Sequence, residues 1–162
     1  MKSITSLALI VASVMPACNS AQASSNSPKD EITKIKEVIS QYHSGFIEND
    51  PATVLSTLGK EFIMFNGNYS GDPALWQAHL FLTGDDLQRW PAEFLKQAGP
   101  YQNQHEFLRT HIRGNAAVVV TQETGKNKFR AWENEKVTWL LGRRNNEWKI
   151  VGFFIRDIRN PE

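Results

Sequence analysis

The sequence is short of cysteine, of net charge and of long apolar runs, and each shortage removes a class of protein. Cys18 is the single cysteine, so no disulfide can form within the chain. Lys and Arg number 18 against 17 Asp and Glu, a formal charge of +1. A balance of this kind carries no electrostatic footprint for nucleic acid or for an anionic membrane. The one apolar run, Ile4 to Met15, is shorter than the roughly 20 residues of a permanent membrane-spanning helix. Phosphate-binding glycine loops and nucleophile elbows are missing too, as are internal repeats. What the chain does have is aromatic bulk, 10% of residues with five Trp, which argues against disorder and for a folded core or a lined pocket.

The first residues read as a secretory leader. Lys2 gives the positive start, Ile4 to Met15 the apolar stretch, and Ala21-Gln22-Ala23 a small-x-small cleavage site. Residues 1–23 are therefore expected to be removed, with 24–29 a polar linker and 30–162 the working domain. The expected location is periplasmic or secreted, with no transmembrane span in the mature chain. Met15-Pro16-Ala17-Cys18 resembles a lipoprotein box, so anchoring through an acylated Cys18 is the alternative.

Ile32, Ile35, Val38, Ile39, Tyr42 and Phe46 recur at three- and four-residue steps and predict a first helix, with Asp30 as its N-cap. A second short helix carries Val54, Leu55 and Leu58 up to Gly59. Glu61 to Phe65 predicts a strand, Pro73 to Leu82 a helix, and Asp85 to Gln97 another that Pro91 kinks or restarts. Four strands follow, over 105–113, 116–124, 129–143 and 147–158. Asn145-Asn146 suits a two-residue hairpin turn, because Asn tolerates positive φ. That turn sets Arg144 opposite Glu147, Leu141 opposite Ile150, Trp139 opposite Gly152 and Val137 opposite Phe154. The last strand is apolar on both faces, which predicts a homodimer through Leu140, Val151, Phe153 and Ile155.

The order of these elements resembles the nuclear transport factor 2-like superfamily. The opening stripe through Tyr42 and Phe46, Asn49-Asp50 leading into Val54-Leu55-Leu58, and the Glu61-Phe62 strand start are similar to its first half. Val137-Thr138-Trp139 through Arg143-Arg144 to Trp148-Lys149-Ile150-Val151 is similar to its closing hairpin. The resemblance implies an α+β domain in which a cone-shaped, curved antiparallel sheet packs on N-terminal helices, here with a central helical elaboration. It also implies a pocket at the wide end. Members include ketosteroid isomerase and SnoaL-like proteins, and many bind or associate without catalysis, so the fold does not choose the function.

His105 and His111 lie six apart on a strand, too far to share an ion, so no metal and no cofactor are expected. Trp76 and His79 sit three apart on the predicted helix, which makes His79 the candidate acid–base group. Arg130 and Trp132 share a strand face, a cationic edge on an aromatic floor. Strand parity aligns Phe154 with Arg156. The predicted ligand-binding set is Trp76, His79, Trp139, Phe154 and Arg156, with His79 the candidate catalytic residue. The expected function is an envelope-located, cofactor-free domain of the SnoaL-like type that binds a small apolar or weakly acidic molecule. The alternatives are an isomerase, dehydratase or hydrolase pairing His79 with Glu106 or Asp157, and a protein-association module.

Overall fold

A computed structural model of the protein describes residues 27–67 and 77–156. The leader, residues 24–26 of the linker, Trp76 and Asp157 lie outside the described residues. Three helices pack on a curved, open six-stranded sheet, the α+β architecture expected. Among the described residues no helix is long and apolar enough to cross a membrane.

Helix α1, Pro28–Ile47, starts two residues before the expected cap, Asp30. Ser27 is the N-cap: its hydroxyl accepts from Asp30 N while the Asp30 carboxylate accepts from Ser27 N, both at 3.2 Å. Asp30 is thus the reciprocal member of a capping box. The predicted stripe is buried through Ile35, Ile39, Tyr42 and Phe46, and His43 is buried beside it. Asp50 then caps α2, Pro51–Thr57. The two helices cross closely at Gly45, where a Cβ would lie 2.8 Å from Val54.

Strand β1 is Leu58–Gly67, and β2 is Gln77–Thr83. The second of these corrects the helix expected up to Leu82. Gln77–Thr83 pairs antiparallel with β1, setting Phe62 against Leu82 and Ile63 against Phe81. Burial alternates, with Leu82 8% and Phe81 64% exposed. A short apolar run fits either period, and tertiary pairing decided for the strand. Helix α3, Gly84–Ala98, runs through Pro91 without being divided and buries Leu87, Pro91 and Leu95. Strands β3 Gln102–Arg113, β4 Ala116–Lys126, β5 Ala131–Arg144 and β6 Glu147–Arg156 complete the chain described.

The sheet order is β2-β1-β6-β5-β4-β3. Neighbours are antiparallel except β1 and β6, which run parallel. The Asn145-Asn146 turn forms as expected, with φ of 52° and 64°, the left-handed pair a tight hairpin needs. Arg144 meets Glu147 and Leu141 meets Ile150, as the turn dictates. A bulge then shifts the register by one residue, so Trp139 meets Phe153 and Thr138 meets Phe154. The expected pairs Trp139 with Gly152 and Val137 with Phe154 are corrected by it.

The bulge inverts the faces of the distal half of β6, because side chains alternate along a strand. Phe153, 6% exposed, packs on Trp139 at 4.9 Å between ring centroids, and Ile155 follows it inward. Neither residue lies on the outer face, where the dimer expectation had placed them. Phe154 turns out and stacks on Phe65 at 4.5 Å. Gly152 makes room for β1, not for an indole: a Cβ there would sit 2.5 Å from the Ile63 carbonyl oxygen.

Candidate functional site

Between the helices and the concave side of the sheet lies a cavity of about 360 Å³. Tyr42, His43 and Phe46 reach it from one face of α1, and Trp90 and Phe94 from α3. Glu123 on β4, Trp132, Glu135, Val137 and Trp139 on β5, and Phe153 and Ile155 on β6 complete most of the wall. Alternation explains the strand contributions. On β5, positions 135, 137 and 139 share the buried face, and on β4 positions 119, 121 and 123 do. Aromatic rings meet mostly edge to face: Tyr42 contacts Trp139 at 5.3 Å and Phe46 at 4.9 Å between centroids.

A hydrogen-bonded chain is set into this apolar wall. Trp132 Nε1 donates to Asn103 Oδ1 at 3.1 Å, which turns the Asn103 amide nitrogen toward His43 Nδ1, also at 3.1 Å. His43 Nδ1 is therefore an acceptor, and the ring proton sits on Nε2. Nε2 lies 3.4 Å from Glu123 Oε1 and makes no hydrogen bond with any described residue. Trp139 Nε1 donates to Thr121 Oγ1 at 2.9 Å, and that hydroxyl donates to Glu123 Oε1 at 2.6 Å. His105 stacks on His43 at 4.7 Å and pairs with Ser40 Oγ at 3.1 Å.

Burial alone would push the Glu123 carboxyl up. The neighbouring His43, the Thr121 hydroxyl and His105 outweigh it, holding the group below its ordinary value. His105 is held below its ordinary value by burial and then by His43, with Glu123 opposing. The Tyr42 and Tyr101 phenols are pushed far up, chiefly by burial, and stay protonated. Farther along the wall Arg130 makes a two-pronged pair with Glu135, 2.7 and 2.8 Å, and lies over Trp132 at 5.1 Å. This is the cationic edge on an aromatic floor that strand parity predicts.

Of the predicted ligand-binding set, the structure places Trp139 in the cavity wall and Phe154 on the opposite face of the sheet. Arg156 pairs in register with Lys136 and Gly67, so its position falls on the Phe154 face. His79 stands on a strand, at the bulge opposite Met64 and Phe65; the side chains of His79 and Arg156 and all of Trp76 lie outside the described residues. Glu106 is exposed and pairs with Gln122, away from the cavity. A bulge between Phe107 and Arg109 also separates His105 from His111, which ends exposed beside Val118. Among the described residues no three His, Cys, Asp or Glu side chains are grouped to hold a metal ion.

His43, Glu123 and Glu135 were not singled out as site residues from the sequence. Each carried a signal. His43 falls three residues before Phe46 and four after Ile39, on the buried stripe. The two glutamates share strand parity with Val119 and Trp139, positions that bury.

A sheet wrapped over helices with an open aromatic cavity at one end defines a class of small pocket-bearing α+β domains. The particular fold is the nuclear transport factor 2-like fold. No family model and no curated protein matches the chain, but solved structures do. A candidate dehydratase of the NTF2-like family from Streptomyces avermitilis superposes with a TM-score of 0.63 at 11% identity, covering 83% of this chain and 100% of that one. An NTF2-like protein of unknown function from Pseudomonas putida gives 0.60 at 11%, covering 83% and 93%. A candidate calcium/calmodulin-dependent protein kinase type II association domain from Thiobacillus denitrificans gives 0.57 at 9%, covering 76% and 94%. Identities this low carry the fold and leave the function to the site.

Proposed function

We propose that this domain binds a small, flat, largely apolar molecule in the aromatic cavity. The observation that carries the reading is the cavity itself: about 360 Å³, within the usual range for ligand sites, apolar with a few fixed polar groups. An association module would be expected to fill this space with side chains. The weakly acidic version of the ligand rests on Arg156, whose side chain lies outside the described residues, so the apolar version is the one proposed. Titration with a neutral, environment-sensitive naphthalene dye tests the reading. A saturable blue shift should appear and should be lost in Val137→Phe, which fills the cavity, while far-ultraviolet dichroism is unchanged. Equal binding by parent and variant would place the dye elsewhere.

A second reading, cofactor-free catalysis, is favoured by Glu123 and His43 standing 3.4 Å apart in the wall, a titratable pair within reach of a ligand. It replaces His79 with Glu106 or Asp157 as the pair to test. We further propose that the domain works outside the cytoplasm, on the strength of the leader at 1–23. Mass spectrometry of protein from its native envelope should find Ser24, or acylated Cys18, at the N-terminus; an intact Met1 there would overturn the export reading. A homodimer through the outer face of the sheet, near Val151 and Val118, completes the proposal.

A further inference from the structure

The cavity wall is not electrically neutral. Among its described residues the charged groups are Glu123, Glu135 and Arg130. Arg130 and Glu135 neutralise each other through their two-pronged pair. His43 does not neutralise Glu123. Were His43 doubly protonated, Asn103 would have to turn its oxygen to Nδ1 and its amide nitrogen to the Trp132 N–H, setting donor against donor. The imidazole is therefore neutral, and Glu123 is a carboxylate only 4% exposed with no cation among the described residues to match it. Burying such a charge is costly unless a partner arrives.

The two oxygens of Glu123 differ. Oε1 takes the Thr121 hydroxyl and faces His43 Nε2. Oε2 accepts no hydrogen bond from any described residue. The rings of Tyr42, Trp139, Trp132 and Tyr101 line the same cavity, and the negative faces of such rings attract a cation. We propose that the cavity recognises a protonated amine carried on a flat apolar body, its N–H group bound by Glu123 Oε2 and its body held among the rings. The inference rests on the small-molecule reading above and adds the charge of the ligand, opposite to the weak acid that the sequence suggests.

Calorimetric titration of the full chain at neutral pH with three matched probes separates the possibilities: 2-naphthylmethylamine, 2-naphthylmethanol and 2-naphthoate. The amine should bind about tenfold or more tightly than the alcohol, the gain of a charge-assisted hydrogen bond, and the naphthoate weakest. Glu123→Gln, nearly isosteric, should bring the amine to the alcohol's affinity and leave the alcohol unchanged. If the alcohol binds and the amine binds no better, or the naphthoate binds best, the cation inference is overturned while the cavity reading stands. An amine preference that survives Glu123→Gln overturns it equally. If no probe binds, the small-molecule reading fails and takes the inference with it. Should Glu123→Gln not fold, the ranking of the three probes on the parent decides.

Discussion

Glu31 lies in the first turn of α1, 7% exposed, and ties that turn to the closing hairpin. Its Oε2 accepts from Arg143 Nη1 and from Trp148 Nε1, each at 2.7 Å, and its Oε1 accepts from Lys34 at 3.3 Å. Glu31→Ala leaves the buried Trp148 N–H without its acceptor, a cost of about 1–3 kcal/mol. Arg143 keeps Asn115 Oδ1 and the face of Trp148, so its loss is about 1 kcal/mol or less. The Lys34 pair is solvent-screened and adds little. The expected total is about 2–3 kcal/mol, which at a urea slope of about 2 kcal/mol/M lowers the midpoint by about 1–1.5 M. Glu31→Gln keeps an acceptor for the indole and should lose only about 1 kcal/mol. Equilibrium urea unfolding, followed by Trp fluorescence and dichroism together, reads both. An alanine midpoint within about 0.2 M of the parent, or equal losses for the two variants, would refute the assignment of Glu31 as the clamp.

Three further outcomes follow from the same geometry. Glu123 and His105 both have folded-state pKa values below their ordinary ones, so the unfolded chain binds more protons and stability rises with pH. The His105 part is present above about pH 6.5 and is lost as pH falls through its lower folded value; the Glu123 part is lost at more acid pH, below about 4.5. Urea midpoints should therefore drop on acidification from neutrality, and His105→Gln should flatten the first portion of that drop; a midpoint that climbs instead contradicts it. Gly152→Ala would drive a Cβ to 2.5 Å from the Ile63 carbonyl and 2.7 Å from Ile63 Cγ2, costing about 1–3 kcal/mol in melting experiments, and a neutral result would count against the β1–β6 register. Val151, 37% exposed at the bulge, should give a monomer when changed to Asp if the outer face joins two copies. Sedimentation of the parent as a monomer at high concentration would remove the interface.

The elements with the longest periodic patterns were the ones the sequence specified best. The stripe from Ile35 to Phe46 and the meander from Gln102 to Arg156 rest on local spacing and turn chemistry, and Asn145-Asn146 fixed its hairpin. What local spacing could not carry was phase. One unpaired residue near Val151 turned Phe153 inward and Phe154 outward, and another beside Leu108 separated His105 from His111. A bulge has no strong sequence signature, so every assignment of a face beyond it inherited the wrong parity. Gln77–Thr83 failed for another reason: seven residues are too few to establish a period, and the pairing partner lies elsewhere in the chain. The site residues were legible as charged or polar groups on burying positions, but His43, Glu123 and Glu135 lie far apart in the chain, and only the packing of α1 on β4 and β5 brings them to one cavity.

Because β6 sits between β1 and β5, the two halves of the sheet have no shared edge until it is in place. The β1–β2 hairpin and the β3–β4–β5 meander can each form from near neighbours, yet the wall that holds Phe153 against Trp139 and Phe62 depends on the last strand described. Joining β1 to β6 brings together segments nearly the whole domain apart, a loop closure that is entropically slow. During synthesis the concave surface thus stays open to water until the final strand leaves the ribosome. A chain built this way commits to its cavity late, after every other described strand has been made.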